Sequence, residues 1–252
     1  MLLNLAGKTA LITGSSKGIG FAIAKALHSE GCIVSLNARD EKNLHEASRQ
    51  LKGSVIAIGD VSKIDDAIRV VNESTLKLGG IDILICSVGS GKSVAPGFEN
   101  AEEWQRVFEL NFWSAVNVVD SARGALRKSK GIIICISSIC GLEVIPDAPI
   151  TYSTAKAALN AYVRGMAKPL GKDGIRINAI APGNIMFPGS GWEEKLGDDP
   201  AGVMAKIQKE VSLQRFGKLE DVSNIALWLS APSAGFVSGS IFVVDGGQSR
   251  RF

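Results

Sequence analysis

Cysteine, histidine and aromatic residues are scarce in this sequence. Of its 252 residues, four are Cys, two are His and 6% are aromatic. The cysteines contain no Cys-x-x-Cys pair, which argues against zinc-ribbon and thioredoxin-like sites. Three of them lie in apolar runs, so we interpret them as buried, reduced thiols. Neither His28 nor His45 lies near a plausible ligand cluster, and no catalytic metal is predicted.

The sequence also has no long apolar run and no block of charge of one sign. No stretch of about 18 uninterrupted apolar residues occurs, and Met1–Lys8 lacks the pattern of a secretory leader. We therefore predict a cytoplasmic protein with no membrane association. The 28 basic and 25 acidic residues are spread along the chain, for a net charge of +3. This distribution argues against nucleic acid as a partner.

Short apolar runs alternate with longer amphipathic segments along the whole chain. This order predicts a doubly wound parallel sheet with helices on both faces, the Rossmann architecture. No linker or repeat interrupts it, so residues 1–252 are predicted to form a single domain. The predicted strands and helices are Thr9–Thr13, Ile19–Glu30, Ile33–Asn37, Glu41–Leu51, Val55–Ile58, Ile64–Leu78, Ile81–Cys86, Ala101–Ala125, Gly131–Ile136, Tyr152–Leu170, Ile175–Ile180 and Ser240–Val244.

One segment does not fit the alternation. Between Pro182 and about Pro200 the sequence is rich in Gly and Pro, and a helix is predicted around Val203–Val211. Long loops in compact domains are more often functional than decorative. We interpret residues 184–212 as a substrate lid, with a structural excursion or an oligomer contact as the alternatives.

A glycine-rich turn follows the first predicted strand and opens the first helix. Glycine at positions 14, 18 and 20 allows a sharp turn and a close approach to a pyrophosphate. The amides at the start of the helix would then face the anion. The turn therefore predicts a bound dinucleotide, although three glycines could also mark only a tight loop.

The end of the second strand bears on which dinucleotide binds. Ala38 stands where proteins that prefer NAD(H) usually carry an acidic residue, and Arg39 follows it. The guanidinium of Arg39 and the ammonium of Lys17 suit a 2′-phosphate, which favours NADP(H) over NAD(H). Alternatively, both are solvated surface charges, with Asp40 and Glu41 partly neutralising Arg39.

Tyr152 and Lys156 are spaced to share one face of a predicted helix. A cation about 4 Å from the phenolate would lower the phenol pKa by up to roughly 3 units, before burial opposes it. Ser138 follows a predicted strand, so its hydroxyl is expected at the carboxyl edge of the sheet, where ligands bind. Ser137 competes for this position.

The order of these motifs resembles that of the short-chain dehydrogenase/reductase family over essentially the whole chain. The resemblance is carried by Thr13-Gly-x-x-x-Gly-x-Gly20, Asp60-Val61, Asn111, Ser138-x-x-Gly141, Tyr152-x-x-x-Lys156 and Pro182-Gly183. It favours Ser138 over Ser137 and implies a catalytic set of Asn111, Ser138, Tyr152 and Lys156. In this set Asn111 would hold a water linked to Lys156. The cofactor-binding residues it implies, with the turn and its cations included, are Gly14, Ser16, Lys17, Gly18, Ile19, Gly20, Arg39, Asp60, Val61, Ser87, Gly89, Tyr152, Lys156, Pro182, Gly183 and Ile185.

Two motifs depart from the family pattern. Cys86-Ser-Val-Gly89 replaces the usual Asn-Asn-Ala-Gly, so only Ser87 can offer a side-chain hydrogen bond to a ribose. Phe187 replaces a frequent threonine whose hydroxyl contacts the cofactor. With Trp192, it suggests an altered lid and a more apolar substrate wall.

The resemblance implies hydride transfer between NADP(H) and a small carbonyl or alcohol substrate. The leading expectation is a 3-oxoacyl or small-ketone reductase, and the alternative is a sugar or polyol dehydrogenase. A dinucleotide-binding sensor without turnover is a third hypothesis. A homotetramer is also implied, through the C-terminal segment and the helices near Asn111 and Tyr152, whose apolar faces could equally belong to the core.

Overall fold

The computed structural model describes residues 3–250, which form seven strands and nine α-helices. The strands are β1 (Thr9–Thr13), β2 (Ile33–Ala38), β3 (Val55–Ile58), β4 (Ile83–Cys86), β5 (Ile132–Ile136), β6 (Arg176–Pro182) and β7 (Ile241–Val244). The helices are α1 (Gly18–Ser29), α2 (Glu41–Arg49), α3 (Ile64–Leu78), α4 (Ala101–Phe108), α5 (Ser114–Ser129), α6 (Ile150–Gly171), α7 (Gly191–Asp198), α8 (Pro200–Glu210) and α9 (Leu219–Ser230).

The strands pair in the order β3-β2-β1-β4-β5-β6-β7, and all six pairings are parallel. The doubly wound fold predicted from the sequence is therefore confirmed. The order reverses between β1 and β4, so the loops that follow these two strands diverge. Such a switch point opens a crevice at the carboxyl edge of the sheet.

The strands contribute to two apolar cores, because successive side chains point to opposite faces of the sheet. On β5, Ile132, Ile134 and Ile136 belong to the core shared with α1, α2 and α9, whereas Ile133 and Cys135 belong to the core shared with α3, α5 and α6. Both faces are covered, which explains the uninterrupted apolar strands. Among the helices of residues 3–250, none is long and apolar enough to cross a membrane.

The predicted helix Ala101–Ala125 is not continuous. A π-helical turn, Glu109–Trp113, lies between α4 and α5. Within it, Asn111 is buried, and its Nδ2 atom donates to the Val107 carbonyl oxygen at 3.1 Å. Such turns insert one extra residue and often occur at functional sites.

The prediction that residues 182–200 form a loop is wrong for its second half, where α7 begins. Ser190 caps this helix by accepting a hydrogen bond from the Glu193 amide at 3.2 Å. Asp199 likewise caps α8, accepting from the Gly202 amide at 2.9 Å. A serine followed three residues later by glutamate is a start signal for a helix that the Gly and Pro content obscured.

Helix α9 was not predicted from the sequence. Its buried residues Val222, Ala226 and Leu229 have helical spacing and pack beside α1. Asp221 accepts from the Lys218 amide at 2.9 Å and fixes the start of the helix. The periodicity was therefore present in the sequence.

Candidate active site

The glycine-rich turn lies at the switch point between β1 and β4. Gly14 and Gly18 have φ values of +63° and +60°, which side chains rarely adopt. A Cβ on Gly20 would overlap the Gly14 carbonyl oxygen, and one on Gly14 would lie 3.0 Å from the Val88 amide nitrogen. Among the described residues, no side chain caps the start of α1. The cradle and its uncapped amides therefore fit a pyrophosphate.

Several predicted cofactor residues surround this turn. Ser16 and Ile19 belong to it and are half-buried. The amide of Ser87 donates to Thr13 Oγ1 at 3.2 Å, and Ser87 Oγ lies 3.1 Å from the position of a Cβ on Gly20. Val61 is buried after β3. The Ser87 hydroxyl thus faces the turn across the crevice.

Arg39 lies at the end of β2 and is largely exposed. Its Nη1 atom is 3.8 Å from Asp60 Oδ2. Asp40 instead caps α2 through the Asn43 amide, and Glu41 lies 3.7 Å from His45. Within residues 3–250, Arg39 therefore pairs with Asp60, while Asp40 and Glu41 make their contacts with Asn43 and His45.

Lys17 extends towards the lid. Its Nζ atom lies 3.8 Å from the position that a Cβ on Gly189 would occupy. The Lys17 ammonium therefore approaches the proposed lid.

Gly89 joins the cofactor crevice to the predicted catalytic residues. A Cβ at this position would lie 2.8 Å from Asn111 Oδ1 and 3.1 Å from Lys156 Nζ. Asn111 is fixed by two hydrogen bonds to the backbone of Ser90, of 3.0 and 3.1 Å. Lys156 is buried and donates to the Ile136 carbonyl oxygen at 2.9 Å. The structure thus places both residues against Gly89.

The Ser138 hydroxyl lies beside the Tyr152 phenol and acts to lower the pKa of that phenol. Ser138 Oγ also accepts from the Cys140 amide at 3.2 Å, whereas Ser137 Oγ points to the Lys156 carbonyl oxygen at 3.5 Å. Lys156 Nζ lies 5.8 Å from the centroid of the Tyr152 ring. Of the two serines, Ser138 is the one that pairs with the phenol.

Burial determines the protonation of these groups. It raises the pKa of Tyr152 to about 12, with the Ser138 hydrogen bond opposing it. Burial lowers the pKa of Lys156 to about 8. The effect of Lys156 on the Tyr152 pKa was predicted from the sequence before burial was counted. In the structure burial is the largest influence on that pKa, and Lys156 Nζ lies 5.8 Å from the ring centroid. At neutral pH the phenol retains its proton.

The predicted residues after β6 connect the crevice to the lid. The amide of Gly183 donates to the Val244 carbonyl oxygen at 3.0 Å, and a Cβ on Gly183 would lie 2.7 Å from Asp245 Cβ. Ile185 is buried and forms an isolated bridge with Gly217. The Phe187 ring lies 2.9 Å from the position of a Cβ on Gly18. Phe187 therefore packs on the glycine-rich turn.

Three of the four cysteines are buried free thiols, as the sequence predicted, and the fourth is not fully buried. Cys32, Cys86 and Cys135 are free and buried, whereas Cys140 is partly exposed beside Ser138. Hydrogen bonding to Cys135, together with burial, raises the pKa of Cys86 well above its ordinary value. No group of three or more potential metal ligands occurs within residues 3–250.

The fold and the site together define the class of protein, a nicotinamide-dinucleotide oxidoreductase built on a doubly wound α/β sheet.

Known proteins agree with this class. Residues 14–249 match the family model described as enoyl-(acyl carrier protein) reductase. The 3β-hydroxysteroid dehydrogenase 1 of Eggerthella lenta is 34% identical over 98% of this chain and 95% of its own. Glucose 1-dehydrogenase of Gluconobacter oxydans is 34% identical over 96% of this chain and 92% of its own.

A solved structure is similar along the whole chain. L-sorbose reductase from Gluconobacter frateurii, in complex with NADPH and L-sorbose, is 32% identical with a TM-score of 0.92 and full coverage of both chains. The chain therefore belongs to the short-chain dehydrogenase/reductase family. It is an oxidoreductase that acts on CH–OH and carbonyl groups.

Proposed function

We propose that this enzyme uses NADP(H) to interconvert a ketone and a secondary alcohol, with Tyr152 as the proton donor in reduction. The observation that carries the proposal is the cluster in which Lys156 Nζ lies 5.8 Å from the Tyr152 ring centroid, with the Ser138 hydroxyl beside the phenol. The buried ammonium of this cluster touches Gly89 of the cofactor crevice.

In the reducing direction, the hydroxyls of Ser138 and Tyr152 both donate hydrogen bonds to the carbonyl oxygen. As negative charge develops on this oxygen, Tyr152 transfers its proton to it. The ammonium of Lys156 stabilises the phenolate that remains, and Asn111 holds the water through which the proton is replaced. The nicotinamide, when bound, supplies the hydride, while the protein supplies position and electrostatics.

The cofactor would be held by the glycine-rich turn, by Asp60, Val61, Ser87 and Gly89 along the crevice, and by Pro182, Gly183 and Ile185. Arg39 is exposed at the end of β2 and Lys17 at the start of α1, which supports recognition of a 2′-phosphate. The sorbose reductase structure is a complex with NADPH, whereas the structure of a 7α-hydroxysteroid dehydrogenase that is 29% identical to this chain is a complex with NADH. We expect NADP(H) here because Ala38 presents no carboxylate.

Residues 184–212 are proposed as the lid over the substrate. Two ion pairs join it to the loops around the crevice, Lys92 with Glu194 at 2.9 Å and Lys206 with Asp147 at 3.5 Å. We also propose a homotetramer, supported by exposed apolar side chains at Trp113, Phe236 and Val243. Light scattering that shows a stable monomer would contradict it.

The proposal is tested by following NADPH and NADH oxidation with 3-oxoacyl thioesters, small ketones, keto sugars and an enoyl thioester. In the reverse direction, the reduction of NADP⁺ is followed with alcohols, sugars and polyols. Turnover of a ketone with preference for NADPH is the expected result. Tight NADPH binding without turnover of any compound would instead favour the sensor.

A further inference from the structure

Two amide side chains near the start of the lid each have one buried polar atom without a partner. Asn184 Nδ2 and Gln248 Oε1 are buried and make no hydrogen bond to residues 3–250. Gln248 as a whole is only 9% exposed. The first atom is a donor and the second an acceptor. Buried polar atoms are rarely left unpaired, so such a pair indicates a missing ligand group.

Both atoms belong to residues around Gly183, at the carboxyl edge of the sheet. Asn184 follows Gly183 directly, and Gln248 Oε1 lies 2.9 Å from the position that a Cβ on Gly183 would occupy. Strand β6 pairs with β7 through Pro182 and Val244, so the two residues follow adjacent strand ends. The other neighbour of β6 is β5, which leads to Ser138. Ligands of doubly wound proteins bind at this edge.

The turn that carries Gln248 is held between the lid and the loop that joins Ser138 to Tyr152. On the lid side, Ser212 Oγ donates to the Gly247 carbonyl oxygen at 2.8 Å. On the other side, the Glu143 carboxylate accepts from the Arg250 amide at 3.1 Å. The turn that carries Gln248 therefore lies between the proposed lid and the loop that joins Ser138 to Tyr152.

The lid aromatics make their contacts elsewhere. Phe187 packs on Gly18, and the Trp192 ring lies 5.4 Å from that of Phe216. The apolar substrate wall expected from these two residues is therefore not what adjoins Gly183. The side chains nearest Gly183 are those of Asp245, whose carboxylate accepts from the Gly247 and Ser249 amides, and Gln248.

We infer that the substrate is a hydroxylated ketone, and that hydroxyls near its carbonyl donate to Gln248 Oε1 and accept from Asn184 Nδ2. A hydroxyl both donates and accepts, so hydroxyls can pair with the acceptor on Gln248 and with the donor on Asn184. An apolar ketone would leave both atoms unpaired. This inference rests on the proposed function and selects ketoses and polyols within it.

The test compares ketones of equal length with and without hydroxyls, using L-erythrulose against 2-butanone and L-sorbose against 2-hexanone. The native enzyme is expected to favour the hydroxylated member in kcat/KM by about tenfold or more, because sites built for a hydroxyl reject analogues lacking it. In Gln248→Met and Asn184→Leu this ratio should fall by about tenfold. The matched control is Gln50→Met, because Gln50 is exposed at the C-terminal end of α2. This variant should keep the native ratio.

Thermal melting separates recognition from folding. Gln248→Met should melt at or above the native temperature, because it removes a buried unpaired acceptor, while losing the preference for hydroxylated ketones. A native preference for 2-butanone and 2-hexanone would overturn the inference and leave the proposed function standing, as would a ratio unchanged by Gln248→Met. Absence of turnover with every ketone, despite NADPH binding, would overturn both.

Discussion

The catalytic cluster and the charged rim of the crevice differ in how the protein holds them. The catalytic cluster, Asn111, Ser138, Tyr152 and Lys156, is positioned by β5, α6 and a π-helical turn, and three of its members are less than 9% exposed. The charged rim, Arg39, Lys92, Asp147, Glu194 and Lys206, is held by long side chains in ion pairs that are partly or largely exposed. Buried groups that cannot be rehydrated should respond strongly to substitution, and exposed pairs weakly.

The largest effect is expected for Tyr152→Phe, which removes the proton donor and keeps the ring. Turnover should fall by about 10²- to 10⁴-fold, the usual contribution of general acid catalysis. NADPH affinity, measured by fluorescence titration, should stay near the native value. Tyr162→Phe is the matched control, because Tyr162 lies on the same helix but packs on Phe112 at 6.1 Å. Near-native turnover in Tyr152→Phe would remove the cluster from the reaction.

The buried ammonium should also be visible in the pH dependence of stability. Burial lowers the pKa of Lys156 to about 8, whereas an unfolded lysine titrates near 10.4. Between these values the unfolded chain binds more protons, so stability should rise with pH. From pH 7.5 to 9.5 the native enzyme should gain roughly 2 kcal/mol relative to Lys156→Met.

Denaturant unfolding of both proteins at each pH provides the measurement. The thiols contribute with the opposite sign near pH 9 and above, but they do so in both proteins and cancel in the comparison. Identical pH dependence in the two would show that Lys156 is not desolvated.

On the charged rim, Arg39→Ala should weaken NADPH binding by about tenfold through the loss of one charge-assisted contact. NADH binding should change little, because NADH has no 2′-phosphate. Arg49→Ala removes an exposed guanidinium from the end of α2 and serves as the control. Equal weakening of both cofactors would mean that Arg39 does not read the phosphate.

The smallest effect is expected for the ion pair between Lys92 and Glu194. Lys92→Ala should raise KM by about two- to fivefold at low salt, since exposed pairs contribute at most about 1 kcal/mol. Added salt should reduce the difference from the native enzyme. Lys25→Ala, an exposed lysine on α1, should leave KM unchanged. A loss comparable to that of Tyr152→Phe would mean that the lid is as firmly constrained as the cluster.

The same contrast separates what could be predicted from what could not. The strands and most helices were predicted within about two residues, because apolar spacing of period 2 or 3.6 is a local property. The π-helical turn was not predicted. Its extra residue lies between α4 and α5 and leaves the apolar spacing within each of these helices intact. The start of α7 was missed because Gly and Pro are turn formers, and only the spacing of Ser190 and Glu193 argued otherwise.

By itself, the sequence determined the fold class, the glycine-rich turn and the shared helix face of Tyr152 and Lys156, because each depends on neighbours a few residues apart. Only the tertiary structure decided that Ser137 Oγ turns to the Lys156 carbonyl oxygen, away from the phenol beside Ser138, and that Arg39 pairs with Asp60. It alone also brought Gln248 beside Gly183, 65 positions earlier in the chain. These contacts join strand ends that are distant in sequence, and their geometry is set by the packing of the sheet and its helices, which no local pattern encodes.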